Sequence, residues 1–96
     1  MLLTNFDPNE VFEELTDELR SYVFFRDNGV CQICGKSASE PHHVIYRSHG
    51  GKHCANNIAS ICNKCHYKIH NKQDKYKELL LTRIKENEQQ LRRDLI

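Results

Sequence analysis

Residues 40 to 70 read EPHHVIYRSHGGKHCANNIASICNKCHYKIH, from Glu40 to His70, and the fold turns on this stretch. It holds all six histidines of the chain, the pair Gly50-Gly51, the pair Asn56-Asn57, and a run in which Cys62 and Cys65 are followed by His66 and His70. Core packing alone calls for no such composition. Imidazole and thiolate are the side chains that best bind borderline transition metals, and tandem glycines between two short apolar runs mark a loop. A metal-dependent site is therefore the first expectation.

Within the stretch, His42 to Tyr46 and Ile58 to Ile61 have the composition of short strands, joined by the polar loop Arg47 to Asn57. Asn63 is placed to cap a following helix that carries Cys65, His66 and His70. Residues four apart share one face of a helix, so His66 and His70 point the same way and can hold one ion together. His42 and His43 are neighbours on a strand and must point to opposite sides. If one of that pair joins His66 and His70 on the metal, the other is left for proton chemistry.

Working outward, Val30-Cys31-Gln32-Ile33-Cys34-Gly35 has the form of a zinc knuckle, with a glycine that permits the tight turn aiming both thiolates at one ion. Cys62 and Cys65 form the second such pair. Four thiolates in two pairs satisfy a tetrahedral structural zinc site with no open position. The 27 residues between the pairs exceed the about 15–20 of a compact zinc ribbon, which implies a functional unit inserted between them. The plain alternative is four reduced cysteines buried as small hydrophobes. Cys54 is left over as a free thiol. Paired spacing and an odd count of five fit metal ligation in a reducing, intracellular (cytoplasmic) compartment better than a disulfide framework.

At these residues the sequence resembles the HNH nuclease family, whose fold is the ββα-metal motif. The elements of the match are the His42-His43 pair, the Gly50-Gly51 loop, the Asn57-Ile58 step and the His66, His70 pair. The histidine arrangement is similar to the nuclease domains of DNase colicins, and the four cysteines to the phage and homing branch of the family. The resemblance implies a small α+β fold, a ββα-metal, treble-clef-like core with a structural four-cysteine zinc site. It implies His42, His66 and His70 as ligands of one catalytic divalent metal (Mg2+, Mn2+, Ni2+ or Zn2+) and His43 as general base. Asn57 would be the central asparagine of the family name, holding the loop and the backbone of His43. Many relatives have Asp where this chain has His42, a departure that softens the site. Short free-standing relatives also suggest a phage packaging partner.

Outside this core, Asp7-Pro8-Asn9-Glu10 combines an N-cap acid, proline at the first helical position and an acid two residues on. Val11, Phe12, Leu15, Leu19 and Tyr22 follow at helical spacing, and Asn28-Gly29 supplies a stop. The expectation is a helix over 8–27, with its acids in solvent and away from any polyanion. Toward the other end Asp74 is placed to cap a helix over 74–95, with Tyr76, Leu80, Ile84, Asn87, Leu91 and Leu95 in one stripe. That stripe packs on the first helix or serves a partner, a dimer included, so the chain is expected to be a monomer or homodimer. Residues 31–70 form the zinc and ββα-metal core, and the whole chain of 96 residues makes one domain.

Charge sharpens the functional expectation. Residues 1–19 carry six acids and no base, residues 20–77 carry ten Lys or Arg against three acids, and the remainder balances. The basic stretch coincides with the metal site, which points to a polyanionic partner. Arg47, Lys52, Lys64 and Lys68 are the candidates for DNA phosphate contacts, with His49 and His53 placed in solvent or on phosphate. No apolar run approaches the about 18 residues of a membrane span. The leading expectation is a metal-dependent DNA endonuclease of low sequence specificity. The alternative is a zinc-finger DNA-binding or adaptor module of the same fold, which would need the four cysteines but has no use for His43 beside His42, His66 and His70.

Overall fold

Two strands, β1 (Glu40–His43) and β2 (Ile58–Ile61), pair antiparallel with His42 opposite Ala59 and His43 opposite Ile58. The computed structural model describes residues 6–94, apart from the side chains of residues 73 and 74. Because side chains alternate along a strand, Ala59 and Ile61 face one side of the sheet and Ile58 the other. Both sides are covered, and all four residues of β2 are buried. On the first side lie α2 (Asn63–Asn71) and α3 (Gln73–Asp94), whose Cys65, Ile69, Leu80 and Ile84 pack on Val44, Ala59 and Ile61. On the second lies α1 (Asp17–Arg26), where Leu19, Tyr22 and Val23 meet Ile58, Ala55 and Leu91. The architecture is the expected small α+β fold, with three helices among the described residues around a two-stranded antiparallel sheet.

The helix expected over 8–27 is shorter than its pattern. It starts at Asp17, where the Thr16 hydroxyl accepts the amide of Leu19. Asp7 caps only a turn, accepting the amide of Asn9. Pro8 to Phe12 is instead a strap across the loop before β2: the Phe12 amide donates to the His53 carbonyl at 2.9 Å, and the Asn56 amide to the Pro8 carbonyl at 3.0 Å. The strap wins because its backbone groups bond the loop, and Phe12 packs beside Leu19 and Tyr22 without needing helical spacing. Its acids are exposed, yet it lies beside the histidines rather than away from them. The stop came out where expected, with Asn28 and Gly29 left-handed and the Gly29 amide on the Phe24 carbonyl.

Two other boundaries moved. The first strand ends at His43 rather than Tyr46, because the amide and carbonyl of Ile45 are taken by the Asn57 side chain instead of a partner strand. Cys62, not Asn63, occupies the N-cap of α2; Asn63 accepts the Ser39 hydroxyl. In α3 the stripe of Tyr76, Leu80, Ile84 and Leu91 turns inward onto α1, α2 and β2, so the helix is a core element. The side chain of Asp74, expected to cap the helix, and the last stripe position, Leu95, lie outside the described residues.

A buried ionic network joins the two sides of the sheet, and its members carry no periodic signal. Arg26 uses all five guanidinium donors: on both carboxylate oxygens of Asp27, on Glu88, and on the carbonyls of Ala55 and Ile58 at 2.7 and 2.6 Å. Asp27 in turn accepts the Ser60 amide and the Asn87 side chain. Burial and the neighbouring Glu88 push the Tyr22 phenol well above its usual range, so it stays protonated and donates to that carboxylate. Deleting one partner from such a cluster costs about 3–5 kcal/mol, since it strands a buried charge. The network clamps the start of β2, and with it the floor of the histidine site.

The tandem glycines do separate jobs. Gly50 is left-handed, at φ 86°, closing the 3-10 turn Arg47–His49. Gly51 is pressed against the segment that follows β1, where a Cβ would stand 1.8 Å from the Ile45 carbonyl oxygen. Gly51→Ala should therefore displace backbone and cost about 1–3 kcal/mol, as overpacking does, or more since the obstacle is main chain. Gly50→Ala meets nothing within 4 Å and should cost only the roughly 1–2 kcal/mol of left-handed strain. Equal melting temperatures for the two variants would show that close approach at Gly51 is not what fixes the loop.

Candidate functional site

Cys31 and Cys34 sit on a tight hairpin closed by the Val30, Ser37 bridge, with the Gly35 amide on the Cys31 carbonyl and Gly35 itself left-handed. Cys62 and Cys65 come from the first turn of α2. The four sulfurs lie within 4.8 Å of one another, the donor set of a structural zinc site. Although burial opposes it, backbone amides of Cys34, Ile33 and Cys62 draw the Cys31 thiol down to about 7. Burial and the other three sulfurs push Cys65 up to about 12. Four thiolates at this spacing need a cation among them, which is why the donor chemistry fits Zn2+.

Strand alternation settles the histidine pair. His42, opposite Ala59, shares a face with Glu40 and looks toward α2; His43, opposite Ile58, is on the other face. At the exposed edge of β1 both reach an open groove of about 300 Å³, lined by Pro41, His42, His43, Tyr46, Arg47, His66 and His70. The rings of His42 and His66 are 5.3 Å apart and those of His66 and His70 4.7 Å. Helical spacing thus does place His66 and His70 together, beside a buried His42. Among the described residues the four cysteines are the one group of three or more metal-ligating side chains gathered closely enough to hold an ion; the three imidazoles share the groove more loosely.

Electrostatics favour the neutral form of three imidazoles, those of His42, His43 and His53. Burial, with His66, His70 and His43 adding to it, pulls His42 down to about 4, so its lone pair is available at neutral pH. His43 is lowered by burial, by His53 and by Arg47. His53 is lowered by burial and Arg47 against the opposing pull of Glu14. Neutral imidazole is the form that can bind a metal or accept a proton.

Several residues take roles that spacing did not disclose. Glu40, whose place at a strand start reads as a surface acid ahead of a support for a metal ligand, holds Nδ1 of His66, which leaves the other ring nitrogen free for the groove. His53, expected in solvent or on phosphate, meets His43, with His43 Nε2 and His53 Nδ1 2.9 Å apart. Tyr46 has a buried hydroxyl with no hydrogen-bond partner among the described residues, between His42 and His70. Such an orphaned oxygen suits a groove that takes a polar occupant. Alternation along β1 could have signalled Glu40 beside His42. No local pattern pointed to His53.

Asn57 is buried and bonds three ways: it accepts the Ile45 amide at 2.9 Å and donates to the carbonyls of Ile45 and Lys52. It therefore grips the loop as expected, but two residues beyond His43 rather than at His43 itself; its own carbonyl accepts the Val44 amide. Arg47 lines the groove and donates to the Gly51 carbonyl at 2.8 Å. Lys52, Lys64 and Lys68 are exposed, and Lys64 and Lys68 project from α2. Cys54 is outside the thiol cluster. No helix among the described residues is long and apolar enough to cross a membrane.

No curated protein matches the chain. A family comparison does: the HNH endonuclease model matches residues 31–72, a segment that begins at the first cysteine of the thiol cluster, ends just past His70 and contains the whole groove, and it is the HNH endonuclease family that this chain resembles.

Proposed function

We propose that the protein is a metal-dependent endonuclease that hydrolyses phosphodiester bonds of duplex DNA, nicking or cutting with low sequence preference. One observation carries this reading: a neutral His43 opens onto the same groove as His42, His66 and His70. A module that only bound DNA would need the thiol cluster and its basic surface, but not that groove. A divalent cation held by His42, His66 and His70 would supply Lewis-acid stabilisation of the charge that develops on the phosphate and the leaving 3′ oxygen.

The chain's own residues do the rest. His43 takes a proton from the attacking water, the task of a neutral imidazole near its operating pH. Glu40 fixes the ring of His66, and Asn57 fixes the turn that carries Arg47. Arg47, Lys52, Lys64 and Lys68 seat the DNA backbone. Cys31, Cys34, Cys62 and Cys65 would hold a structural zinc that ties α2, and so His66 and His70, to the hairpin.

The deciding experiment is nicking of supercoiled plasmid across a panel of divalent metals. Metal-dependent conversion to open circle is expected; DNA binding without turnover under every metal would leave the adaptor module standing. The electrostatic part has its own readout. If the four basic residues each neutralise a phosphate, log affinity should fall against log salt with a slope of roughly −3 to −4, at about −0.9 per contact. Lys64→Ala should reduce that slope by about one contact without changing base preference. An unchanged slope would remove Lys64 from the interface.

A further inference from the structure

His53 stands ten residues along the chain from His43, beyond the Gly50-Gly51 turn, yet the two imidazoles meet at 2.9 Å between His43 Nε2 and His53 Nδ1, rings inclined by 68°. The contact is not left to a loose loop. The strap pins His53 by its main chain, the Phe12 amide donating to its carbonyl, and Asn56 three residues on is held by the Pro8 carbonyl and the Asn9 side chain. Between the two, Arg26 grips the Ala55 carbonyl. Three elements distant in sequence thus converge to present one imidazole to another.

A neutral imidazole has one N–H and one lone pair, so the bond has two arrangements. If His53 donates, His43 carries its proton on Nδ1, and both of its nitrogens are committed. It then has no lone pair with which to take a proton from water. If His43 donates from Nε2, its Nδ1 lone pair is free. Only the second arrangement is compatible with His43 as a base.

We propose that His53 is a positioning residue: it accepts the Nε2–H of His43 and so holds the general base in the tautomer whose Nδ1 lone pair can receive the proton of the attacking water. The inference rests on the nuclease reading above. As that proton arrives on Nδ1, His43 becomes an imidazolium and the bond to His53 becomes charge-assisted, which strengthens it. Nothing is transferred between the rings; His53 keeps its own proton on Nε2 throughout. The water's oxygen forms the new bond to phosphorus, the bond to the 3′ oxygen breaks, and the leaving oxygen is protonated from solvent.

The test compares His53→Ala, His53→Asn and His43→Ala in the zinc-loaded protein. The Asn carboxamide oxygen can replace the Nδ1 acceptor, whereas alanine offers none. His53→Ala is expected to lower kcat about 10- to 100-fold, a part of the 10² to 10⁴ of general base catalysis, with KM, melting temperature and zinc content unchanged. His53→Asn should restore most of the rate. Long-range proton–nitrogen spectra supply a readout apart from activity: His43 should carry its proton on Nε2 in the wild type and lose that preference in His53→Ala. A wild-type kcat for His53→Ala while His43→Ala is inactive overturns the inference and leaves the nuclease reading intact; an Nδ1 proton on His43 in the wild type overturns it together with the assignment of His43 as the base. A wild-type protein that cleaves no plasmid overturns both, whereas a fully active His43→Ala overturns the inference by removing both histidines from the chemistry.

Discussion

Cys65→Ser is expected to unfold the protein and to release its zinc. Cys65 is 1% exposed and belongs at once to the thiol cluster and to the apolar cluster formed by Val44, Ala59, Ile61, Ile69, Leu80 and Ile84. A structural zinc contributes about 10–16 kcal/mol to the folding of small domains, whereas a domain of this size holds only about 5–15 kcal/mol in total. Serine cannot supply the fourth thiolate, and its hydroxyl would sit unpaired in an apolar setting. Cys31→Ser should behave alike, because Cys31 is buried in the same cluster. Cys54→Ser is the control, since Cys54 lies outside the cluster, and it should keep both zinc and melting temperature. Metal analysis and thermal melts read the result; a Cys65→Ser variant that melted like the wild type with one equivalent of zinc would refute the four-cysteine site.

His43→Ala should leave a folded protein that keeps its metals and binds DNA but cleaves about 10² to 10⁴ times more slowly, the usual worth of general base catalysis. The contrast with its neighbours makes the experiment informative. His66 and His70 come from α2 and face His42 across the groove, so His66→Ala or His70→Ala should lose activity together with affinity for the catalytic metal. Excess metal should partly restore those two variants and should not restore His43→Ala. A His43→Ala defect cured by metal would make His43 a ligand rather than a base, and a wild-type rate would remove it from the chemistry altogether.

The parts legible in the sequence are those that short-range covalent geometry imposes. Alternation along a strand was enough to send His42 and His43 to opposite faces, and the four-residue step on α2 to bring His66 and His70 together. Paired cysteine spacing located the thiol cluster, and the tandem glycines located the turn between the strands. The periodic stripe of α3 likewise named its buried residues, Leu80, Ile84 and Leu91. Where local signals misled, they did so because contacts at a distance overrode them. The Asp7-Pro8 start signal produced only a turn, since Pro8 and Phe12 find backbone partners in the loop at Asn56 and His53.

Tertiary structure alone decided the rest. The pairing of His43 with His53, the hold of Glu40 on His66, and the buried meeting of Arg26, Asp27 and Glu88 join residues 10, 26 and up to 62 positions apart. No repeat of two or three-and-a-half residues relates such positions, so nothing in the local pattern distinguishes these charges and imidazoles from ones in solvent. Their partners are fixed only when α1, the strap and α3 close over the sheet, because the burial that this closure brings is what makes an unpaired charge costly and a paired one worth keeping.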